Sequence, residues 1–226
     1  MKLEKHVLLL AGGISKRVGD GLPKQFMLLG GEPLLFHTFN SFLFLNDVKF
    51  TLVLNPKFID YWNNLCSSSG FAIPHDIVEG GPARFHSVKS GLKNIPPNSL
   101  VLIHDAARPF ASKETIIRVI DIATRKGNAV PAIEVNDSVR EVYGPNNKII
   151  DRNRIRVIQT PQAFHSSLIK RAYNQTYNVD FTDDASVLES LGEKINLVAG
   201  NPENIKISNP VDLIFGEGII NYNESN

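Results

Sequence analysis

Three cations crowd a short stretch near the start of the chain. Lys16 and Arg17 end the segment Leu10-Ala11-Gly12-Gly13-Ile14-Ser15-Lys16-Arg17, and Lys24 follows in Leu22-Pro23-Lys24-Gln25. Such clustering is repulsive unless an anion is present, and a triphosphate is the obvious candidate. Glycines let the backbone come close to a ligand and present N–H groups to anionic oxygens. A second segment, Gly80-Gly81-Pro82-Ala83-Arg84 with Ser87 a turn later, opens a helical pattern whose first N–H groups could face a ligand. Taken alone, it reads as an ordinary strand-to-helix turn. A third, His104-Asp105-Ala106-Ala107-Arg108-Pro109, ends an apolar strand. A carboxylate there suits Mg²⁺, which is often held by one carboxylate plus substrate phosphates, and Arg108 is a planar fork suited to phosphate. An Asp–Arg pair closing the loop would look the same, and His104 reads as a packing group. Further along stand Asp151-Arg152-Asn153, Thr160-Pro161-Gln162, Thr182-Asp183-Asp184-Ala185-Ser186 and Asn204-Ile205-Lys206-Ile207. Asp183 with Ser186 has the spacing of a helix N-cap, and Lys206 could either snorkel or point into a site.

Several chemistries are excluded. There is no GxxxxGK[ST] phosphate loop and no GxGxxG in the first turn, which disfavours dinucleotide redox. One cysteine, Cys66, allows neither an internal disulfide nor a CxxC metal site, and the six histidines form no HExxH. Lys plus Arg is 24 against 23 for Asp plus Glu, a net charge of +1, so the chain is not built as a nucleic-acid binder. No apolar run approaches the ~18 residues of a membrane span. The five-residue run Val7–Ala11 is too short for a signal peptide, and a cytoplasmic location is expected.

The elements that must position these residues alternate between strand and helix. Strands are expected at 6–11, 48–54, 73–78 and 100–103, and helices at 33–45, 58–66, 84–92 and 115–124. This βα rhythm predicts an α/β fold with a mostly parallel central sheet covered by helices. The rhythm then changes. A strand at 129–135 is followed by 138–143 and 148–158 flanking Gly144-Pro145-Asn146-Asn147, which predicts a β-hairpin arm. Helices are expected at 165–173, 185–191 and 211–220, with short edge strands at 195–199 and 205–207. The 226 residues, 42% hydrophobic and 21% charged, fit one domain, 1–226, with an arm at about 136–158.

The ordered set LAGGxSxR, LPKQ, GGxxR with Ser87, HDAARP, DRN, TPQ, TDDAS and NIK resembles the 2-C-methyl-D-erythritol 4-phosphate cytidylyltransferase family of the non-mevalonate isoprenoid pathway. The resemblance spans roughly residues 6–220. Each motif is weak, but their joint order is specific. It implies a Rossmann-like nucleotidyltransferase fold and a homodimer clasped by the β-arm. It also implies transfer of CMP from CTP to a sugar-alcohol phosphate, with Mg²⁺ and release of pyrophosphate. Arg17, Lys24 and Lys206 would then be the catalytic cations. Ala11, Gly12, Gly13, Gly80, Gly81, Ser87, Asp105 and Ala106 would hold the nucleotide. Asp105 would also meet the metal and, with Arg108, Ser138, Arg152 and Thr160, the sugar phosphate. Three positions depart from the family pattern. Pro82 stands where many members carry an acidic or polar residue and removes an N–H. Ser15 replaces a frequent glycine, and Ser138 replaces a common threonine while keeping the hydroxyl. Ribitol 5-phosphate cytidylyltransferase shares the AGG and PKQ segments, but HDAARP, DRN and TDDAS favour the methylerythritol enzyme. A molybdenum-cofactor guanylyltransferase stands further off. A nucleotide-binding regulator without catalysis would tolerate loss of Asp105, which is present.

Overall fold

The structure, a computed structural model, describes residues 3–13 and 23–224. Ser15, Lys16 and the expected catalytic Arg17 lie outside the described residues. The chain runs β1 (Glu4–Ala11), a 3-10 turn (Lys24–Phe26), β2 (Leu28–Leu29), β3 (Glu32–Pro33), α1 (Leu34–Asn40), β4 (Val48–Leu54), α2 (Ile59–Ser69), β5 (His75–Glu79), α3 (Arg84–Leu92), β6 (Ser99–Asp105), α4 (Lys113–Lys126) and β7 (Asn128–Glu134). The second half adds β8 (Val139–Tyr143), β9 (Asn146–Ile150), β10 (Arg156–Ile158), β11 (Gln162–His165), α5 (Ser166–Ala172), α6 (Asp184–Glu189), β12 (Leu197–Ala199) and α7 (Pro210–Glu224).

The main sheet has eight strands in the order β10-β7-β11-β6-β1-β4-β5, with β12 also paired to β7. β1 pairs in parallel with β4 and β6, and β4 in parallel with β5. Their carboxyl ends, Ala11, Leu54, Glu79 and Asp105, therefore reach one edge of the sheet. β1 is apolar throughout its centre because side chains alternate between two buried faces. Val7, Leu9 and Ala11 pack with Leu35, Phe39, Trp62, Ile116 and Val119 of α1, α2 and α4. Leu8 packs on the other face with Phe85, Val88, Ile169 and Leu188 of α3, α5 and α6.

The expected helix 33–45 ends at Asn40, because the next turns wind tighter: Phe42, Leu43 and Leu45 bond three residues back, to Phe39, Asn40 and Phe42. α4 shows why its ends are sharp. The Ser112 side chain accepts the Thr115 N–H, and Gly127 closes the helix in the left-handed conformation. Two expectations need correction. Residues 205–207 form no strand; Ile207 N–H bonds Ala107 O, and its side chain sits in a small core with Leu29 and Leu34. Residues 148–158 are not one strand. β8 and β9 pair as a separate hairpin, a 3-10 turn follows at Arg152–Arg154, and β10 returns antiparallel to β7. The strand β11, inserted antiparallel between β6 and β7, was not expected.

α3 lies close on the sheet because Gly91 has no side chain there. A Cβ at that position would stand 2.3 Å from Leu8 Cδ1 and 2.9 Å from Val53 Cγ2. Gly91→Ala is expected to destabilise the fold by about 1–3 kcal/mol through overpacking, measured by urea unfolding. An unchanged midpoint and slope would contradict this contact.

Candidate active site

A cleft of about 370 Å³ opens at the sheet edge where the parallel strands end. Ligands of open α/β sheets bind at such edges, and the volume suits a small molecule. It is lined by Leu10–Gly13 at the end of β1, Lys24 and Gln25 of the 3-10 turn, Asn55 after β4, Gly81–Arg84 and Ser87 at the start of α3, Asp105–Ala107 at the end of β6, and Lys206.

Local contacts set each wall. Gln25 Nε2 donates to Ala11 O at 2.9 Å, which ties the Lys24 turn to the first loop. Phe26, next in the turn, packs against Tyr61, with ring centroids 4.9 Å apart. The two glycine loops meet over Ser87. A Cβ on Gly12 would lie 3.0 Å from Ser87 Oγ, and one on Gly80 would lie 3.1 Å from it and 3.4 Å from Gly12 Cα. Ser87 Oγ accepts the Gly81 N–H at 3.1 Å, and Leu54 O accepts the Gly80 N–H at 2.8 Å. The third loop is pinned by α1, where Thr38 Oγ1 donates to Ala106 O at 2.8 Å and Ser41 Oγ to Pro109 O at 2.7 Å.

Asp105 is the electrostatic centre. Its carboxylate lies 2.7 Å from Lys206 Nζ, 3.5 Å from Arg84 Nε and 3.8 Å from Arg108 Nε. Burial alone would raise its pKa. Arg84, Lys206 and Arg108 together overcome burial and hold it well below the usual carboxylate range. Arg84 is pulled both ways: burial opposes its charge, but Asp184 and Asp105 keep it firmly protonated. His104 is fully buried, as expected of a packing group. Its Nε2–H donates to Arg108 O at 2.8 Å, so Nδ1 accepts the Thr160 hydroxyl at 2.9 Å. Burial pushes its pKa down to about 4.

The expected residues separate into three groups. Ala11, Gly12, Gly13, Lys24, Gly81, Ser87, Asp105, Ala106 and Lys206 share the cleft, and Gly80 stands beside it. Arg108 and Thr160 do not line it. Arg108 donates to Asn204 O at 2.8 Å, and Thr160 Oγ1 accepts the Asp105 N–H at 3.1 Å, so both touch the frame around Asp105. Ser138 and Arg152 are exposed at the base of the hairpin, where Arg152 donates to Asn136 O. Sequence reasoning missed Asn55 and Gln25 in the lining, and Asp184. Arg84 had stood only as part of a glycine motif, with no role of its own. The arginine in GGxxR was the available signal. Asp184 stood only inside TDDAS, with no role of its own, because an acid in a helix's first turn is commonplace.

The family model described as 2-C-methyl-D-erythritol 4-phosphate cytidylyltransferase matches residues 5–222. A Phocaeicola vulgatus protein of that name is 42% identical over 219 residues, covering 96% of this chain and 100% of that one. A Bacteroides fragilis protein of the same name is 44% identical over 210 residues, covering 92% and 96%. The crystal structure of 4-diphosphocytidyl-2C-methyl-D-erythritol synthase from Anaerococcus prevotii superposes with a TM-score of 0.82 at 27% identity, covering 97% of this chain and 96% of that one.

His104 makes stability depend on pH. Its neutral form is favoured in the folded state, so the unfolded chain binds the extra proton between the ordinary value near 6.5 and about 4. The stabilisation is complete above about pH 6.5 and is lost as pH falls toward 4, a total of about 3 kcal/mol. His6, also lowered chiefly by burial, acts in the same sense. Urea unfolding at pH 7.5 and 4.5 should show this loss, and His104→Gln should flatten it; an equal slope in the variant would contradict the assignment.

Proposed function

The chain belongs to the 2-C-methyl-D-erythritol 4-phosphate cytidylyltransferase family, and we propose that it transfers CMP from CTP to 2-C-methyl-D-erythritol 4-phosphate, releasing pyrophosphate. The observation that carries this reading is the single cleft in which the Ala11–Gly13 loop, Lys24, Asp105 and Lys206 converge.

The reaction brings two anions together. An oxygen of the sugar phosphate bonds to the α-phosphorus of CTP while the bond from that phosphorus to the oxygen bridging to the β-phosphate breaks. The attacking oxygen is already ionised at neutral pH, so no general base is required. His104, the titratable group nearest Asp105 in sequence, is buried, neutral and occupied at both nitrogens. Catalysis then rests on positioning and charge stabilisation. We assign Lys24 and Lys206, with Arg17, to the phosphates and the Ala11–Gly13 loop to the nucleotide. Gly80, Gly81 and Ser87 fall to the cytosine and ribose side.

The donors suit Mg²⁺ brought with the nucleotide. Asp105 is the carboxylate among the described residues lining the cleft, and those residues contain no group of three or more His, Cys, Asp or Glu able to hold a metal. One carboxylate plus phosphates is a usual Mg²⁺ environment, whereas a resident cage would need more ligands. When bound, the ion neutralises phosphate charge and orients the triphosphate.

The arm supports a homodimer. Val142 and Ile149 are 73% and 74% exposed, and neither Ser138 nor Arg152 lines the cleft of its own chain. We place Ser138 and Arg152 at the sugar-phosphate side of a partner's cleft. We assign the enzyme to the cytoplasm; no described helix is long and apolar enough to cross a membrane.

The test is pyrophosphate release with CTP, comparing methylerythritol 4-phosphate with ribitol 5-phosphate, each with Mg²⁺ and with EDTA. Release with the first acceptor only, abolished by EDTA, is expected. Release with ribitol 5-phosphate alone would overturn the acceptor, and release with neither would favour a non-catalytic nucleotide binder. Lys24→Ala should lower kcat by about 100-fold or more with the fold retained. Arg152→Ala should raise the KM for the sugar phosphate and leave that for CTP unchanged. Mixing these two variants should restore activity if arms cross between protomers; no recovery after subunit exchange would count against the crossed arm.

A further inference from the structure

Arg84 begins α3 and lines the cleft, yet its terminal nitrogens face away from Asp105. Nη1 and Nη2 donate to the two oxygens of Asp184 at 2.8 and 2.6 Å, leaving Nε 3.5 Å from Asp105. Asp184 is fully buried and lines no part of the cleft. The buried Tyr173 hydroxyl donates to its Oδ1 at 2.6 Å. The backbone around Asp184 is fixed too. Asp183 and Ser186 form a reciprocal cap on α6, Gln162 Nε2 donates to Asp183 Oδ2 at 2.8 Å, and the Ala185 N–H donates to Gln162 Oε1 at 2.9 Å.

A buried ion pair is weak evidence for stability, since well-packed apolar residues often serve as well. Its geometry points to another role. An arginine fork binds a carboxylate best through two parallel N–H groups. If the Nη atoms were free, Arg84 could close on Asp105 in that way and occupy oxygens that must face the cleft. Asp184 takes that fork first.

We propose that Asp184 and Tyr173 are positioning residues which, acting through Arg84, keep the Asp105 carboxylate available to the nucleotide. The inference rests on the cytidylyltransferase reading of the cleft and deepens it. Neither residue touches the ligand. Both act at a distance by fixing one guanidinium.

A double-mutant cycle tests this, with kcat/KM for CTP from pyrophosphate release and CTP affinity from calorimetry. Asp184→Asn should lower both at least fivefold. In an Arg84→Met background the same substitution should change neither by more than twofold, because the fork it controls is gone. Tyr173→Phe, which removes one hydroxyl, should give a smaller loss in the same direction, again absent with Arg84→Met. Equal losses in both backgrounds would overturn the proposal and leave Asp184 a structural group. Should Asp184→Asn fail to give a cooperative melt, the Tyr173→Phe leg decides by the same criterion. A wild-type protein that binds CTP without releasing pyrophosphate would defeat the reaction assignment, while the affinity cycle still judges the positioning role. Failure to bind CTP would overturn both.

Discussion

One carboxylate shared among three cations organises this molecule. Asp105 is the partly exposed last residue of the otherwise buried strand β6 and meets Lys206, Arg84 and Arg108. Those partners come from segments far apart in the chain: the start of α3, the loop after β6 and the stretch before α7. Their charges would repel one another without Asp105, and Asp105 would be costly to bury without them. The balance leaves an excess of positive charge around one acid, a suitable field for a polyphosphate.

The parallel sheet makes that meeting possible. Four adjacent parallel strands deliver their carboxyl ends to one edge, and each end carries a loop that contributes to the cleft. Apolar packing on both faces fixes the strands, while the loops are held by specific polar ties. Gln25 reaches Ala11, Thr38 and Ser41 reach the turn after Asp105, and Thr160 reaches the Asp105 N–H. Such ties are directional, so they set the position of a loop more narrowly than apolar contact does. Behind them, Gln162 links β11 to the start of α6, and Asp184 carries that order to Arg84.

The hairpin stands apart from this economy. β8 and β9 pair only with each other, and their outward residues include Val142, Tyr143 and Ile149. These exposed apolar side chains alternate with polar ones such as Arg140, Glu141 and Lys148, the last two joined in an ion pair. The residues at its base, Ser138 and Arg152, are polar and exposed, in contrast to the packed frame around Asp105.

The sequence by itself determined the alternation of strands and helices through the nine large elements from β1 to β7, the two-residue strands β2 and β3 aside. It also determined the hairpin and the loops that carry the cleft. Buried parallel strands leave continuous apolar runs such as Val7–Leu10, and glycines with cations mark where those runs stop. His104 was legible as a packing group, and Asp183 with Ser186 as a cap, because both patterns are local. Tertiary structure decided what depends on distant partners. β11 is four residues of mixed polarity, and it is a strand only because β6 and β7 offer unpaired edges on either side. Residues 205–207 alternate like a strand, yet no neighbouring strand accepts them, so Ile207 turns inward while Lys206 reaches Asp105. Thr160 and Arg108 were singled out for a ligand, and only the fold shows that they also tie the frame of Asp105. Asp184 was beyond local reasoning for the same cause: its partner Arg84 lies 100 residues away, and only the tertiary fold, which seats α6 beside α5 and ties its start to Gln162 of β11, brings the two together.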